Sequence, residues 1–318
     1  MNIGNATFPS NLFLAPLAGY SDAPFRQICH EWGSSAAVTE MVSAEGLARD
    51  SVKTEALMRR YEGEDNLIIQ IFAPDDDPVR RAMDKINAYK PAMIDINCGC
   101  PVPKVVKTGA GSAMMQHPEK MADMVRFLKQ NTDIPVSVKF RLGWDYSSLN
   151  YIEFAEAAAD AGAGMFTLHA RTRSQQYSGS ADWSHLKALK EHFKDTDIKI
   201  FGSGDVFKPE DAERMLKETH CDGVMFARGA IGNPFIFRQT RDLLEKGSYE
   251  PISLEERKET LMRHLDYMIR VFGEDLACRD MKKHACAYIK GLEGANKIKV
   301  RVVNASCRKE YAEAISAL

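Results

Sequence analysis

Short apolar runs alternate with stretches of helical periodicity through the first three quarters of the chain. The runs cover residues 12–15, 37–39, 67–72, 93–97, 136–140, 165–169, 198–201 and 223–227. Several are almost wholly apolar, the pattern of strands buried on both faces. Between them, residues 118–130, 149–161 and 209–219 repeat apolar side chains at helical spacing. Eight strand–helix units in roughly 240 residues have the size and rhythm of an α/β fold, the (β/α)8 TIM barrel. A doubly wound sheet is the alternative, but it carries a GxGxxG turn after an early strand, and no such turn is present.

Beyond about residue 240 the apolar runs stop. Residues 254–272, 277–291 and 309–318 read as amphipathic helices, with Gly273 and Gly291 as stops. The chain is expected to divide into a barrel domain, residues 1–245, and a small all-helical C-terminal domain, residues 246–318.

Charge changes this picture in one place. The 318 residues carry 42 Lys and Arg against 44 Asp and Glu, so nucleic-acid contact requires a local patch. From Leu276 to Lys309 nine basic residues face two acidic ones, an excess of seven in a chain whose net charge is −2. A solvated helix face is the plainer reading of the same residues. No apolar stretch reaches the roughly 18 residues of a membrane span. The first residues lack the basic and apolar regions of a signal peptide. Seven cysteines at irregular positions form no disulfide framework. Cys98 and Cys100 stand too close for the usual zinc-ligand spacing, and no metal site is expected. A monomer in the reducing cytoplasm is the simplest expectation.

In a barrel, chemistry gathers at the carboxyl ends of the strands. Those ends read, in order, Pro16-Leu17-Ala18, Glu40, Gln70, Asn97, Lys139 with Arg141, His169 with Arg171, Ser203-Gly204-Asp205, and Ala227-Arg228-Gly229. The last two are small-residue turns after strands seven and eight, the usual barrel position for a phosphate. Two ordinary tight turns would look the same. Lys139, His169 and Gln70 in one mouth suit a flat heteroaromatic ring that carries a phosphate, which flavin mononucleotide (FMN) does. Cys100 lies in a loop rich in small residues, with Gly99, Pro101, Gly109 and Gly111. There a thiol is more often functional than inert. Cys98, one residue beyond the strand end, suits packing.

The stretch Ile94 to Ser112, IDINCGCPVPKVVKTGAGS, resembles the signature of the tRNA-dihydrouridine synthases. The resemblance continues through Ala15 to Gly19 with Asp22 and Phe25, then Thr39-Glu40-Met41, Gln70, Lys139, His169 to Arg173, Gly204-Asp205 and Arg228-Gly229-Ala230. Arg279 and Lys283-His284 are most similar to the DusB-like branch. The resemblance implies an FMN-dependent enzyme that reduces the C5–C6 double bond of uridine in tRNA, with NADPH or NADH as electron donor. It implies that Pro16, Leu17 and Ala18 line the flavin, and that Gln70 and Lys139 bind its ring and ribityl portion. Ser203, Gly204, Asp205, Ala227 and Arg228 would hold ribityl and phosphate. Asn97, Arg141, His169 and Arg171 would lie near flavin and uracil. Cys100 would be the general acid. Arg279, Lys282 and Lys283 would contact RNA, while His284 suits a structural role equally well. Leu17, Ser203 and Ala227 depart from the family's usual methionine, asparagine and glycine, and each still offers a backbone N–H. The competing readings are a related flavin reductase acting on ribosomal RNA uridine or a free pyrimidine, and an RNA-binding protein without catalysis.

Overall fold

The computed structural model describes residues Met1–Leu318. Eight strands form the barrel: β1 (Leu12–Leu14), β2 (Ala36–Val38), β3 (Leu67–Phe72), β4 (Met93–Cys98), β5 (Val136–Arg141), β6 (Met165–His169), β7 (Lys199–Ser203) and β8 (Gly223–Phe226). Each pairs in parallel with the next. Met225 beside Phe13 joins β8 to β1 and closes the ring. The helices that follow the strands are α1 (Ala23–Glu31), α2 (Ala44–Ala48), α3 (Asp77–Ala88), α4 (Pro118–Asn131), α5 (Tyr151–Asp160), α6 (Trp183–His192), α7 (Pro209–Thr219) and α8 (Ile236–Lys246). The (β/α)8 expectation is borne out. Two small additions lie outside the eight apolar runs: the hairpin of Asn2–Ile3 with Ala6–Thr7, and the short strand Val42–Ser43 beside β3.

Strand periodicity sorts the side chains into two cores. Ile69, Ile94, Ile96, Val138, Phe140 and Leu168 point outward and pack against the helices. Phe13, Ile68, Met93, Met165, Phe201 and Met225 point into the barrel, where Ile3 and Phe8 of the N-terminal segment join them. Two residues further along the same inward rows stand Gln70, Asp95, Ser137 and Thr167, all buried. Two residues beyond these come Asn97, Lys139 and His169. The barrel is therefore apolar at its amino end, polar in the middle and open at its carboxyl end.

Helix α8 ends at Gly247, whose φ of 77° suits glycine. Four helices follow: α9 (Leu254–Phe272), α10 (Glu274–Tyr288), α11 (Ala295–Asn304) and α12 (Arg308–Ile315). Ser253 and Glu256 cap α9 reciprocally, at 3.2 and 3.1 Å. The periodicity gave three helices here. It missed α11, which buries only Ala295, Ile298 and Val302 and leaves Val300 and Val303 exposed. Leu261, Leu265, Met281 and Tyr288 share one apolar cluster with Ile28, Trp32 and Phe235. The C-terminal helices thus pack on α1 and the start of α8 through a common core. No helix is long and apolar enough to cross a membrane.

In that junction His264 and His284 meet with ring centroids 4.6 Å apart, enclosed by Phe25 and Tyr20. Both are fully buried, so His284 is not an RNA contact. Burial holds both rings neutral: it pulls His264 down to about 3 and His284 well below the usual histidine range.

These neutral histidines make stability fall in acid. An unfolded imidazole titrates near about 6.5, so between that value and the folded value near 3 the unfolded chain binds the extra proton. The contribution is complete above about pH 6.5 and is lost as pH falls. Asp22 acts in the opposite sense, because burial pushes its carboxyl up to about 6. The melting temperature should fall between pH 7 and 5.5, and His264→Leu should flatten that fall. Equal slopes in the two proteins would refute the assignment.

Candidate active site

The βα loops enclose a cleft of about 560 Å³, within the range of about 300–1,000 Å³ usual for small-molecule sites. It continues into a recess of about 90 Å³ between the loops after β7 and β8. Pro16, Leu17, Ala18, Asn97, Cys100 and Arg141 line the cleft. Ser203, Gly204, Asp205 and Ala227 line the recess. Lys139, His169 and Arg228 border both.

The recess depends on two glycines. A Cβ on Gly229 would lie 2.1 Å from the Val206 carbonyl oxygen. Gly204 has φ +111°, and a Cβ there would lie 2.8 Å from His169 Cδ2. Asp205 is already engaged. Its carboxylate accepts from Arg171 Nη1 and Nη2 at 3.0 and 2.7 Å, from Ala181 N at 2.7 Å and from Arg228 Nη2 at 3.3 Å. These cations hold Asp205 below its ordinary carboxylate value against the opposing effect of burial. Arg228 is steered over the rings of Tyr177 and Phe207, at 4.7 and 5.3 Å.

Two expected contacts are placed elsewhere. Arg171 is buried and also donates to the Ser178 and Gly179 carbonyls, so it braces Asp205 from behind and does not line the cleft. Gln70 is fully buried one layer below the cleft, bonded to Asp95 and Asn97. Neither residue lines the cleft or the recess, and each is hydrogen-bonded within the protein.

Lys139 is the opposite case: a half-buried ammonium with no hydrogen bond or ion pair in the chain. Burial lowers its pKa to about 8, with Asp95 raising it and Arg141 lowering it. Burial and the surrounding cations push His169 well below the usual histidine range. A neutral imidazole offers one donor and one acceptor. Arg141 donates to Gly99 O at 2.7 Å and to Thr172 O and Gln176 O at 2.9 Å, which ties the loop after β4 to the loop after β6. Burial lowers it to about 10, so it stays charged at neutral pH.

Asn97 Oδ1 accepts from Gly99 N at 3.2 Å and Cys100 N at 3.0 Å, which shapes the turn that carries Cys100. Gly111 closes the same loop: Ser112 N donates to Cys100 O at 3.0 Å, and a Cβ on Gly111 would lie 2.8 Å from that oxygen. Cys100 is half-buried, and burial raises its thiol pKa more than Val102 N–H and Arg141 lower it. The thiol is therefore protonated at neutral pH. Cys98 is buried in the helix-facing core, away from the cleft.

On α10, Arg279 is exposed beside Asp280, Lys282 is half-buried, and Lys283 is exposed with Nζ 5.2 Å from the Tyr20 ring centroid. Tyr20 lines the cleft, so Lys283 stands at its rim. The linear excess of basic residues is smaller in space, because Arg308 pairs with Asp266 at 2.5 Å and Lys309 with Glu313 at 3.9 Å. Sequence reasoning missed Tyr177, which borders cleft and recess alike. Its signal was a lone aromatic residue in an otherwise polar loop. A flat ring with an anionic arm fits this cavity: the unpartnered Lys139 ammonium faces one part, and glycine turns with Arg228 form the other.

The family model described as dihydrouridine synthase matches residues 13–317. A probable tRNA-dihydrouridine synthase of Treponema pallidum is 42% identical over 99% of this chain and 95% of its own length. A tRNA-dihydrouridine synthase B of Pasteurella multocida is 34% identical over 92% of this chain and 88% of its own. Among solved structures, a 2-naphthoyl-CoA reductase superposes with a TM-score of 0.58 at 11% identity, over 77% of this chain and 51% of that one. Histamine dehydrogenase from Rhizobium sp. 4-9 gives 0.56 at 15% identity, over 84% and 50%. At such identities these two structures speak for the barrel fold alone.

The glycine turn yields a direct test. If the recess holds the phosphate of a flavin, Gly229→Ala should weaken flavin binding about tenfold, the equivalent of about 1.4 kcal/mol, by driving the two turns apart. Gly164→Ala, whose added Cβ would meet only Ile3 Cγ2 at an ordinary 3.6 Å, is the control. Fluorescence titration of the apoprotein measures both; equal affinities would show that the recess does not hold the phosphate.

Proposed function

The chain belongs to the dihydrouridine synthase family, and on that premise we propose that it reduces the C5–C6 double bond of uridine in tRNA, with FMN as cofactor and NADPH or NADH as electron donor. It is an oxidoreductase built on a (β/α)8 barrel. The observation that carries the reading is the half-buried Cys100 thiol in the same cleft as the unpartnered Lys139 ammonium.

Lys139 and His169 would hold the polar edge and ribityl portion of the flavin. Ser203, Gly204, Ala227 and Arg228 would hold its phosphate, and Pro16, Leu17 and Ala18 would pack against it. Bound there, the flavin supplies the hydride that uracil accepts at C6. C5 then needs a proton, and Cys100 Sγ–H holds one. A thiol whose pKa burial raises is a poor nucleophile and a competent proton donor. Lys139 and Arg141 place positive charge in the cleft, which favours the negative charge that develops on the uracil carbonyl. Asp205 and Arg171 serve by fixing Arg228. A uridine in folded tRNA must leave its stack to enter such a cleft. Lys283 of α10, at the rim, favours a polymeric RNA over a free pyrimidine.

Cys100→Ala should keep bound flavin and its reduction by NADPH while uridine reduction falls about 100-fold or more. Stopped-flow flavin absorbance and dihydrouridine assay of the RNA separate the two half-reactions; full activity in this variant would remove Cys100 from the acid role. Lys283→Glu should weaken tRNA binding at low salt and leave flavin reduction unchanged. An unaltered affinity would show that the rim of α10 does not meet the RNA.

A further inference from the structure

One layer below the cleft, Ser137, Asp95 and Gln70 form a hydrogen-bonded chain that ends on Asn97 in the cleft wall. Ser137 Oγ donates to Asp95 Oδ1 at 2.5 Å, and Gln70 Nε2 donates to Asp95 Oδ2 at 2.6 Å. Asn97 Nδ2 donates to Gln70 Oε1 at 2.7 Å. Asn97 Oδ1 is left facing Gly99 N and Cys100 N, from which it accepts. Asp95, Gln70 and Ser137 are at most 1% exposed, so their polar atoms depend on each other.

The chain has a direction. An ionised carboxylate only accepts, whereas each amide has a donor end and an acceptor end. An acceptor fixed at Asp95 turns the Gln70 NH2 toward it and the Gln70 oxygen toward Asn97. Asn97 must then present its NH2 to Gln70 and its oxygen to the loop. With the opposite sense, the Asn97 NH2 would face two backbone N–H groups, donor against donor, and the turn at Cys100 would lose both anchors.

We propose that Asp95 is a positioning residue: it sets the hydrogen-bond sense of Gln70 and Asn97, and through them holds the Cys100 loop at the cleft. Its effect on rate rests on Cys100 being the acid; its effect on loop order does not. The β4–β5 register places Asp95 beside Ser137 and Asn97 beside Lys139, so the same carboxylate lies one step below the Lys139 ammonium and favours its charge.

Two substitutions separate sense from charge. In Asp95→Asn the new amide can turn its oxygen to Gln70 and its NH2 to Ser137 Oγ, so the sense survives without the charge. Asp95→Leu removes the acceptor, and Gln70→Met cuts the same chain one link higher. The first readout is alkylation of Cys100 by iodoacetamide in the flavin-loaded protein without RNA, followed by peptide mass spectrometry. Asp95→Leu and Gln70→Met should each react about tenfold faster than the parent as the loop loosens, and Asp95→Asn should stay within about twofold.

The second readout is turnover. Asp95→Leu should lower kcat for uridine reduction about 100-fold with little change in KM for tRNA or in flavin reduction. Asp95→Asn should largely rescue kcat. Its basic limb should move to lower pH, because Lys139 loses a neighbouring negative charge. Parental alkylation rates in both Asp95→Leu and Gln70→Met would overturn the proposal, as would an Asp95→Asn protein that behaves like Asp95→Leu. If Asp95→Leu fails to fold, Gln70→Met carries the test. If Cys100→Ala proved fully active, the alkylation rates would still decide whether Asp95 orders the loop.

Discussion

A closed barrel has no free strand edge, so every inward residue must find its partners among the other inward residues. In this chain the inward rows change character along the axis. Phe13, Ile68, Met93, Met165, Phe201 and Met225 fill the amino end by packing. Gln70, Asp95 and Ser137 fill the next level with directed hydrogen bonds. Asn97, Lys139 and His169 stand above them at the level of the cleft. A packed base tolerates no ligand. The hydrogen-bonded layer gives the residues above it fixed orientations, and the site forms where the filling ends. Oriented groups that need no rearrangement during reaction are what electrostatic catalysis requires.

Three cations meet in that opening, and each is stabilised differently. Arg141 is held by three backbone carbonyls, which satisfy its N–H groups without neutralising its charge. Arg228 is steered by Asp205, which Arg171 braces from behind. Lys139 has only the electrostatic support of Asp95 from below. The cleft therefore keeps positive potential at the level where an anionic or electron-accepting ligand would lie, while His169 remains neutral among these charges. The C-terminal helices add Lys283 at the rim, through the core they share with Ile28 and Trp32.

The eight strands were legible because several are nearly unbroken apolar runs and all alternate with helical stretches, and the site's level along the axis followed from the polar or turn residues at their ends. The family resemblance, more than the loop itself, favours Cys100 over Cys98, and Cys98 is buried in the helix-facing core. Other features depend on contacts between distant residues. Arg171 and Asp205 are 34 positions apart and meet only because β6 and β7 are neighbours, so nothing local marked Arg171 as a brace. Gln70 was recognisable as polar at a strand end, but its depth depends on where the β3 row sits relative to β4. Helix α11 was hidden because Val300 and Val303 on its exposed face blur the apolar stripe of Ile298 and Val302. His284 looked as suited to RNA as to packing until Tyr20, Phe25 and His264 closed around it.

The central claim is that one cleft passes electrons from a reduced flavin to a uridine that tRNA presents. The most direct measurement is an anaerobic single turnover: reduce the flavin-loaded protein with NADPH, remove excess donor, add unmodified tRNA, and follow flavin absorbance while assaying the RNA. The account predicts rapid reoxidation with one dihydrouridine formed per flavin. A reduced flavin that ignores tRNA, yet is reoxidised by ribosomal RNA or a free pyrimidine, would contradict it.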